Sequence, residues 1–212
     1  MIRIGLPVSG ILFLALSAVA VAAPKDHTGE QGWTPLFDGK SLAGWVQRGG
    51  VAKYEAVDGA IVGTSVPNTT NSFLCTERLY GDFVLHVEFQ VDASLNSGVQ
   101  VRSQFLPGFV CKGYQPDIAQ SRYTGILYEE GGRGILADVD PKQVAPHVKN
   151  GDWNQYVITC DGPNITIELN GYRTVAYTGT GNGASEGVIG LQLHRGPKME
   201  VRFKDIEIRA LP

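Results

Sequence analysis

Short runs of β-branched and aromatic residues follow one another along most of this chain, and helical periodicity is almost absent. The 27 glycines and 11 prolines fall largely between those runs, so the chain must reverse often and cannot build long helices. Within Phe83–Val91 the second half alternates cleanly, with Val87, Phe89 and Val91 on one face and His86, Glu88 and Gln90 on the other. Ser97 to Arg102 repeats the pattern, which predicts Val99 and Val101 inward and Gln100 and Arg102 together on the opposite face. Trp153 to Cys160 reads as a further strand, followed by the turn Asp161-Gly162-Pro163-Asn164 and a strand with Ile165, Ile167 and Leu169 on its apolar face. Asn170-Gly171 is a strong hairpin signal, because both residues tolerate positive φ. Gly187 to Arg209 predicts two strands joined around Gly196-Pro197, with Leu191, Leu193, Val201 and Phe203 among their core residues. The stretch from about Leu106 to Asn150 reads as more loop than strand, and long loops on a rigid scaffold tend to carry function. The class is all-β, an antiparallel two-sheet sandwich or a barrel.

Residues 1–23 stand apart. Arg3, the apolar run Ile11 to Leu16 and the small residues Ala18 to Ala23 have the order of a secretory signal peptide, with cleavage expected near Ala22 or Ala23. The apolar run is short for a membrane span, which needs about 20 apolar residues. Residues 24–212 then form one exported domain, periplasmic or extracellular. The net charge of −3 is spread along the chain, which offers no basis for a nucleic-acid partner. The three cysteines are too few and too widely spaced for a disulfide framework or a zinc site. They allow one bridge and one buried thiol, with Cys75 and Cys111 as the pair, or three buried thiols; Cys160 reads as core.

Polar side chains at outward positions of apolar strands are the candidates for chemistry. His86 and Glu88 share a face, as do Gln100 and Arg102, Gln115 and Asp117, and Gln192 and His194. Such a mixture of acid, amide and cation on one sheet face could bind sugar hydroxyls and supply an acid and a base. Each residue alone also fits the wet face of an antiparallel sheet. Glu129 and Glu130 are adjacent, so on a strand they point to opposite faces and cannot serve together as a glycosidase pair. Arg133, in the glycine-rich Gly131 to Gly134, could reach a ligand oxyanion. His-Glu-x-x-His, Cys-x-x-Cys and phosphate-loop signatures are absent.

One long run of motifs resembles a known family. Gly32-Trp33-Thr34-Pro35-Leu36-Phe37-Asp38-Gly39, Asp82-Phe83-Val84-Leu85 with Glu88-Phe89, Asn96-Ser97-Gly98-Val99-Gln100-Val101-Arg102, Gly113-Tyr114-Gln115, Trp153-Asn154 and Gly190-Leu191-Gln192-Leu193-His194 occur in the order of the 3-keto-disaccharide hydrolase domain family. The resemblance implies a concanavalin-like jelly roll, usually exported, that cleaves glycosides whose sugar has been oxidised at C3. A C3 ketone acidifies the C2 hydrogen, so a base can remove it, the enolate expels the C1 substituent, and water adds afterwards. On this reading Asp117 or Glu88 is the base, and Arg102 and His194 are the enolate stabiliser or the acid. Gln115, Gln192, Tyr128, Gln100 and Arg133 hold the sugar, and a divalent metal could serve as electrophile. The chain has Gln115-Pro116-Asp117 where many members carry Glu-x-Gln, a carboxylate moved by two residues and kept on the same strand face. The alternative expectation is a non-catalytic carbohydrate-binding module on the same fold.

Overall fold

A computed structural model describes residues 32–91, 96–108, 110–119 and 122–212. The leader-like segment 1–23 lies outside the described residues. Among the described residues the strands, in chain order, are β1 (Thr34–Pro35), β2 (Trp45–Gly49), β3 (Lys53–Val57), β4 (Ala60–Thr64), β5 (Ser72–Thr76), β6 (Phe83–Val91), β7 (Asn96–Leu106) and β8 (Val110–Ala119). They continue as β9 (Leu127–Glu130), β10 (Gly134–Ala137), β11 (Asn154–Asp161), β12 (Asn164–Leu169), β13 (Tyr172–Thr178), β14 (Val188–Leu193) and β15 (Glu200–Ala210). A one-turn helix, α1 (Pro141–Val144), capped by Asp140, precedes β11.

The strands form two antiparallel sheets. One has eight strands in the order β13-β12-β11-β6-β15-β4-β3, with β1 paired to β15; the other has seven in the order β10-β9-β8-β7-β14-β5-β2. This is an all-β sandwich of the jelly-roll kind. Period-two alternation builds the core between the sheets. Leu85, Val87 and Phe89 of β6, Tyr156 and Ile158 of β11 and Phe203 of β15 meet Val99 and Val101 of β7, Ile118 of β8 and Leu191 and Leu193 of β14. No helix among the described residues is long and apolar enough to cross a membrane.

The Asn170-Gly171 turn joins β12 to β13 with φ of 50° and 82°, the left-handed pair that a two-residue hairpin loop requires. The last two strands are not a hairpin: β14 lies in the seven-stranded sheet and β15 in the eight-stranded one, so Gly196-Pro197 sits in a crossing between layers. The stretch expected to be mostly loop contains β8, β9 and β10, three of the seven strands of one sheet. Its glycines and prolines lie in turns, in β8 and β10 and in the short helical segment Pro141 to His147 rather than in a long irregular loop. All three cysteines are free and buried, so Cys75 and Cys111 are not bridged.

Candidate active site

A cavity of about 750 Å³ opens on the outer face of the seven-stranded sheet. That volume falls in the range of small-molecule sites. The alternation of β8 builds its floor: Tyr114 and Ile118 turn into the core, and Gln115 and Asp117 turn out to the cavity. Tyr128 and Glu130 do the same on β9, Gln192 on β14 and His194 just beyond it, while Asn71 enters from the segment before β5. Gln115 stands opposite Tyr128, and Gly98 of β7 stands between Asp117 on one side and Gln192 on the other.

Polar groups on this floor are tightly interlinked although they are almost sealed from water. The Ser103 hydroxyl donates to Gln100 Oε1 at 2.6 Å, the Gln100 amide N–H donates to Gln115 Oε1, and the Gln115 amide N–H donates to Asp117 Oδ1 at 2.9 Å. Burial pushes the Asp117 carboxyl up to about 7; the donated bonds from Gln115 and the Ile118 backbone pull it back, and the charge of Glu130 adds to the rise. Burial also raises Glu130, opposed by the charge of His194 and by the side-chain amides of Gln192 and Asn71. Gln192 donates from Nε2 to Glu130 Oε2 at 3.2 Å. Its Oε1, fully buried, has no hydrogen-bond partner among the described residues. The His194 Nδ1 lies 2.6 Å from the Arg195 carbonyl oxygen, so Nδ1 carries the proton and a neutral ring keeps Nε2 as an acceptor.

The structure brings together Asp117, Gln115, Gln192, Tyr128 and His194 of the residues singled out in the sequence. Gln100 lies beneath them, fully buried, and reaches Asp117 only through Gln115. The other three are elsewhere. Glu88 is on the outer face of the eight-stranded sheet, on the far side of the sandwich, where it pairs at 3.2 Å with Lys204, whose ammonium in turn sits 4.6 Å from the Trp153 ring centroid. Arg102, expected as enolate stabiliser or acid, does not reach the cavity either. A bulge in β7 after Val101 and a φ of 47° at Arg102 turn that side chain away from Gln100. The guanidinium donates to the Gly81 carbonyl and the Gly162 carbonyl, each at 2.7 Å, and to Asp82, tying β7 to the ends of strands in the other sheet. Arg133 closes on Glu129, from Nε to Oε2 at 2.7 Å and from a terminal nitrogen to Oε1 at 3.0 Å, a two-pronged fork.

Glu130 is the residue the sequence reading missed. The argument that Glu129 and Glu130 face opposite ways holds, since one grips Arg133 and the other faces the cavity. The spacing of Tyr128 and Glu130 on one strand face was the available signal. Asn71 carries none, because it stands outside any strand, just before β5. Among the described residues no three His, Cys, Asp or Glu side chains cluster to hold a metal ion. The described residues thus offer no protein cage for a divalent cation.

Residues 32–209 match the 3-keto-alpha-glucoside-1,2-lyase-like domain. The chain belongs to that family. No curated protein sequence matches it. Its fold is similar to that of a protein of Parabacteroides distasonis provisionally assigned as a glycosyl hydrolase, at 20% identity and a TM-score of 0.67, over 90% of this chain and 98% of that one. It is also similar to the carbohydrate-binding module CBM66 of Bacillus subtilis, at 14% identity and a TM-score of 0.62, over 81% of this chain and 98% of that one. A Bacillus subtilis protein of unknown function with a galectin-like fold matches at 12% identity and a TM-score of 0.59, over 80% of this chain and 90% of that one. At these identities the likeness is one of fold.

Proposed function

We propose that this chain is an exported enzyme that cleaves 3-keto-glycosides by elimination across C1 and C2, followed by hydration. The observation that carries the reading is a buried carboxyl, Asp117, held near neutral proton affinity on the floor of a cavity large enough for a sugar, with a second raised carboxyl, Glu130, in the same cavity. A base that titrates near the working pH combines a useful ionised fraction with real proton affinity.

In this mechanism the Asp117 carboxylate removes the C2 proton, whose acidity comes from the neighbouring C3 ketone. The C2 electron pair forms the enolate and then the C1–C2 double bond as the C1–O bond breaks. Glu130, whose carboxyl burial holds above its ordinary value, delivers a proton to the departing oxygen. Tyr128 and His194 are placed to donate toward the ketone oxygen as charge gathers there, His194 when it carries its second proton. Gln192 Oε1 accepts from a sugar hydroxyl. Water adds to the unsaturated product afterwards. Export rests on the leader-like order of residues 1–23.

A second reading has its own support. Tyr123, exposed at the rim of the same cavity, offers an aromatic face for a sugar ring, the usual device of a binding module. Incubation of the protein with a 3-keto glucoside in D₂O separates the two. The enzyme reading predicts aglycone release with deuterium appearing at C2 of recovered substrate or product. Binding without release or exchange would leave the module.

A further inference from the structure

Amide side chains have two ends that differ in kind, and a buried chain of them transmits that polarity. Ser103, Gln100 and Gln115 form such a chain, and it ends on Asp117. The fold makes room for it at named positions. Gln115 lies flat across Gly98 of the neighbouring strand, where an added Cβ would stand 2.6 Å from its Cγ and Cδ. Ser103 crosses Gly113 in the same way, with its hydroxyl 2.2 Å from where a Cβ would be. Gln100 packs over Gly190, 3.2 Å from such an atom. Ordinary side chains at these three positions would displace the chain of amides.

We propose that Gln100 and Ser103 are positioning residues, which fix the Gln115 amide so that its N–H group rather than its carbonyl oxygen faces Asp117. Gln100 is thereby removed from the substrate contacts, since it is fully buried and touches the cavity only through Gln115. The polarity matters because an N–H favours the carboxylate form of Asp117 and a carbonyl oxygen favours the acid form. The chain also has a second arrangement available. The Ser103 hydroxyl lies 3.1 Å from the Val101 carbonyl oxygen, so it can turn there, and both amides can then reverse when Asp117 takes up a proton. Asp117 stays hydrogen-bonded in either state, as a residue that first accepts a proton and later returns it requires.

The inference rests on Asp117 being the reactive carboxyl only for its functional meaning; its test does not. The other titratable and charged groups around Asp117 are Cys111 from β8, Glu130 and Tyr128 from β9, His194 and Arg195 beyond β14, Tyr123 from the β8–β9 connection, and Tyr156, whose hydroxyl reaches the Asp117 backbone from the core. All are unchanged in the variants proposed. Carbon-detected NMR titration of the Asp117 carboxyl compares wild type, Gln100→Met and Ser103→Ala. With the amide freed, Gln100→Met raises the Asp117 midpoint by about one pH unit, the scale of one charge-assisted hydrogen bond. Ser103→Ala raises it less, in the same direction, and decides the matter alone if Gln100→Met fails to fold. An unchanged Asp117 midpoint in the folded variants overturns the proposal whether or not the protein cleaves any glycoside. Loss of activity without that shift would assign these residues a merely structural part, and would overturn it equally.

Discussion

The hydroxyl of Tyr156, a fully buried residue of the eight-stranded sheet, donates to the backbone carbonyl of Asp117 in the opposite sheet at 2.6 Å and accepts from the Gly125 N–H at 2.8 Å. The candidate base is thus held from two sides. Its backbone is pinned through the core by Tyr156, and its carboxyl is held on the outer face by Gln115. Each hold makes a separate prediction.

Tyr156→Phe keeps the ring and its packing against Phe89 but removes the bond across the sheets. The Gly125 N–H still reaches the Asp117 carbonyl at 3.1 Å, so that carbonyl keeps one donor. The expected cost is about 1–2 kcal/mol, read as a lower urea midpoint with an unchanged slope.

Asp117 also fixes the pH dependence. As the base it must be ionised and Glu130 must hold its proton, so kcat/KM for a 3-keto glycoside should follow a bell, falling on the acid side as Asp117 is protonated below about 7 and on the alkaline side as Glu130 loses its proton. Stability runs opposite to the acid limb. A carboxyl raised from 3.8 to about 7 binds its proton more tightly in the folded state, so its contribution is present below the unfolded value and lost as pH rises through 7. Asp117→Asn should therefore melt at a higher temperature than wild type at pH 8, with the gap closing as pH falls toward 4. Paired thermal melts across that range check the sign.

Gly98→Ala tests the room made for the amide chain. A methyl group there would meet the Gln115 side chain at 2.6 Å and push it off Asp117 toward the cavity that it lines. The variant should retain its far-ultraviolet circular dichroism and lose at least about tenfold in kcat/KM, the scale of one misplaced hydrogen bond to a reacting carboxylate.

Glu88 and Arg102 supply the contrast. Glu88→Gln alters a pair with the partly exposed Lys204 on the far face, so activity should stay within about twofold and stability within about 1 kcal/mol. Arg102→Met leaves the Gly81 and Gly162 carbonyls and Asp82 without their shared donor, and the Arg102 side chain is only 3% exposed. That variant should lose about 3 kcal/mol or more by chemical unfolding. A large activity loss in a stable Glu88→Gln protein would refute the assignment of faces.

These two residues show what sequence can and cannot carry. Alternation in β6 correctly sets Glu88 opposite Val87 and Phe89, but a sandwich has two outer faces, and period-two pattern is the same for both. Which face a strand presents depends on the sheet it joins, a matter of long-range pairing. Arg102 fails for a local reason. Gln100 and Arg102 share a face only in unbroken strand, and the bulge with a left-handed residue breaks the count, although nothing in Val-Arg-Ser announces it. Gln115 and Asp117 were legible because β8 runs unbroken through them with Tyr114 and Ile118 inward. The Asn-Gly hairpin was legible because its chemistry is entirely local.

The most direct test of the central claim follows aglycone release from a 3-keto glucoside by wild type, Asp117→Asn and Glu88→Gln at pH 7.5, with the unoxidised glucoside as control. The account predicts release from the keto form alone, abolished in Asp117→Asn and retained in Glu88→Gln. Full release by Asp117→Asn, or equal cleavage of the unoxidised glucoside, would contradict it.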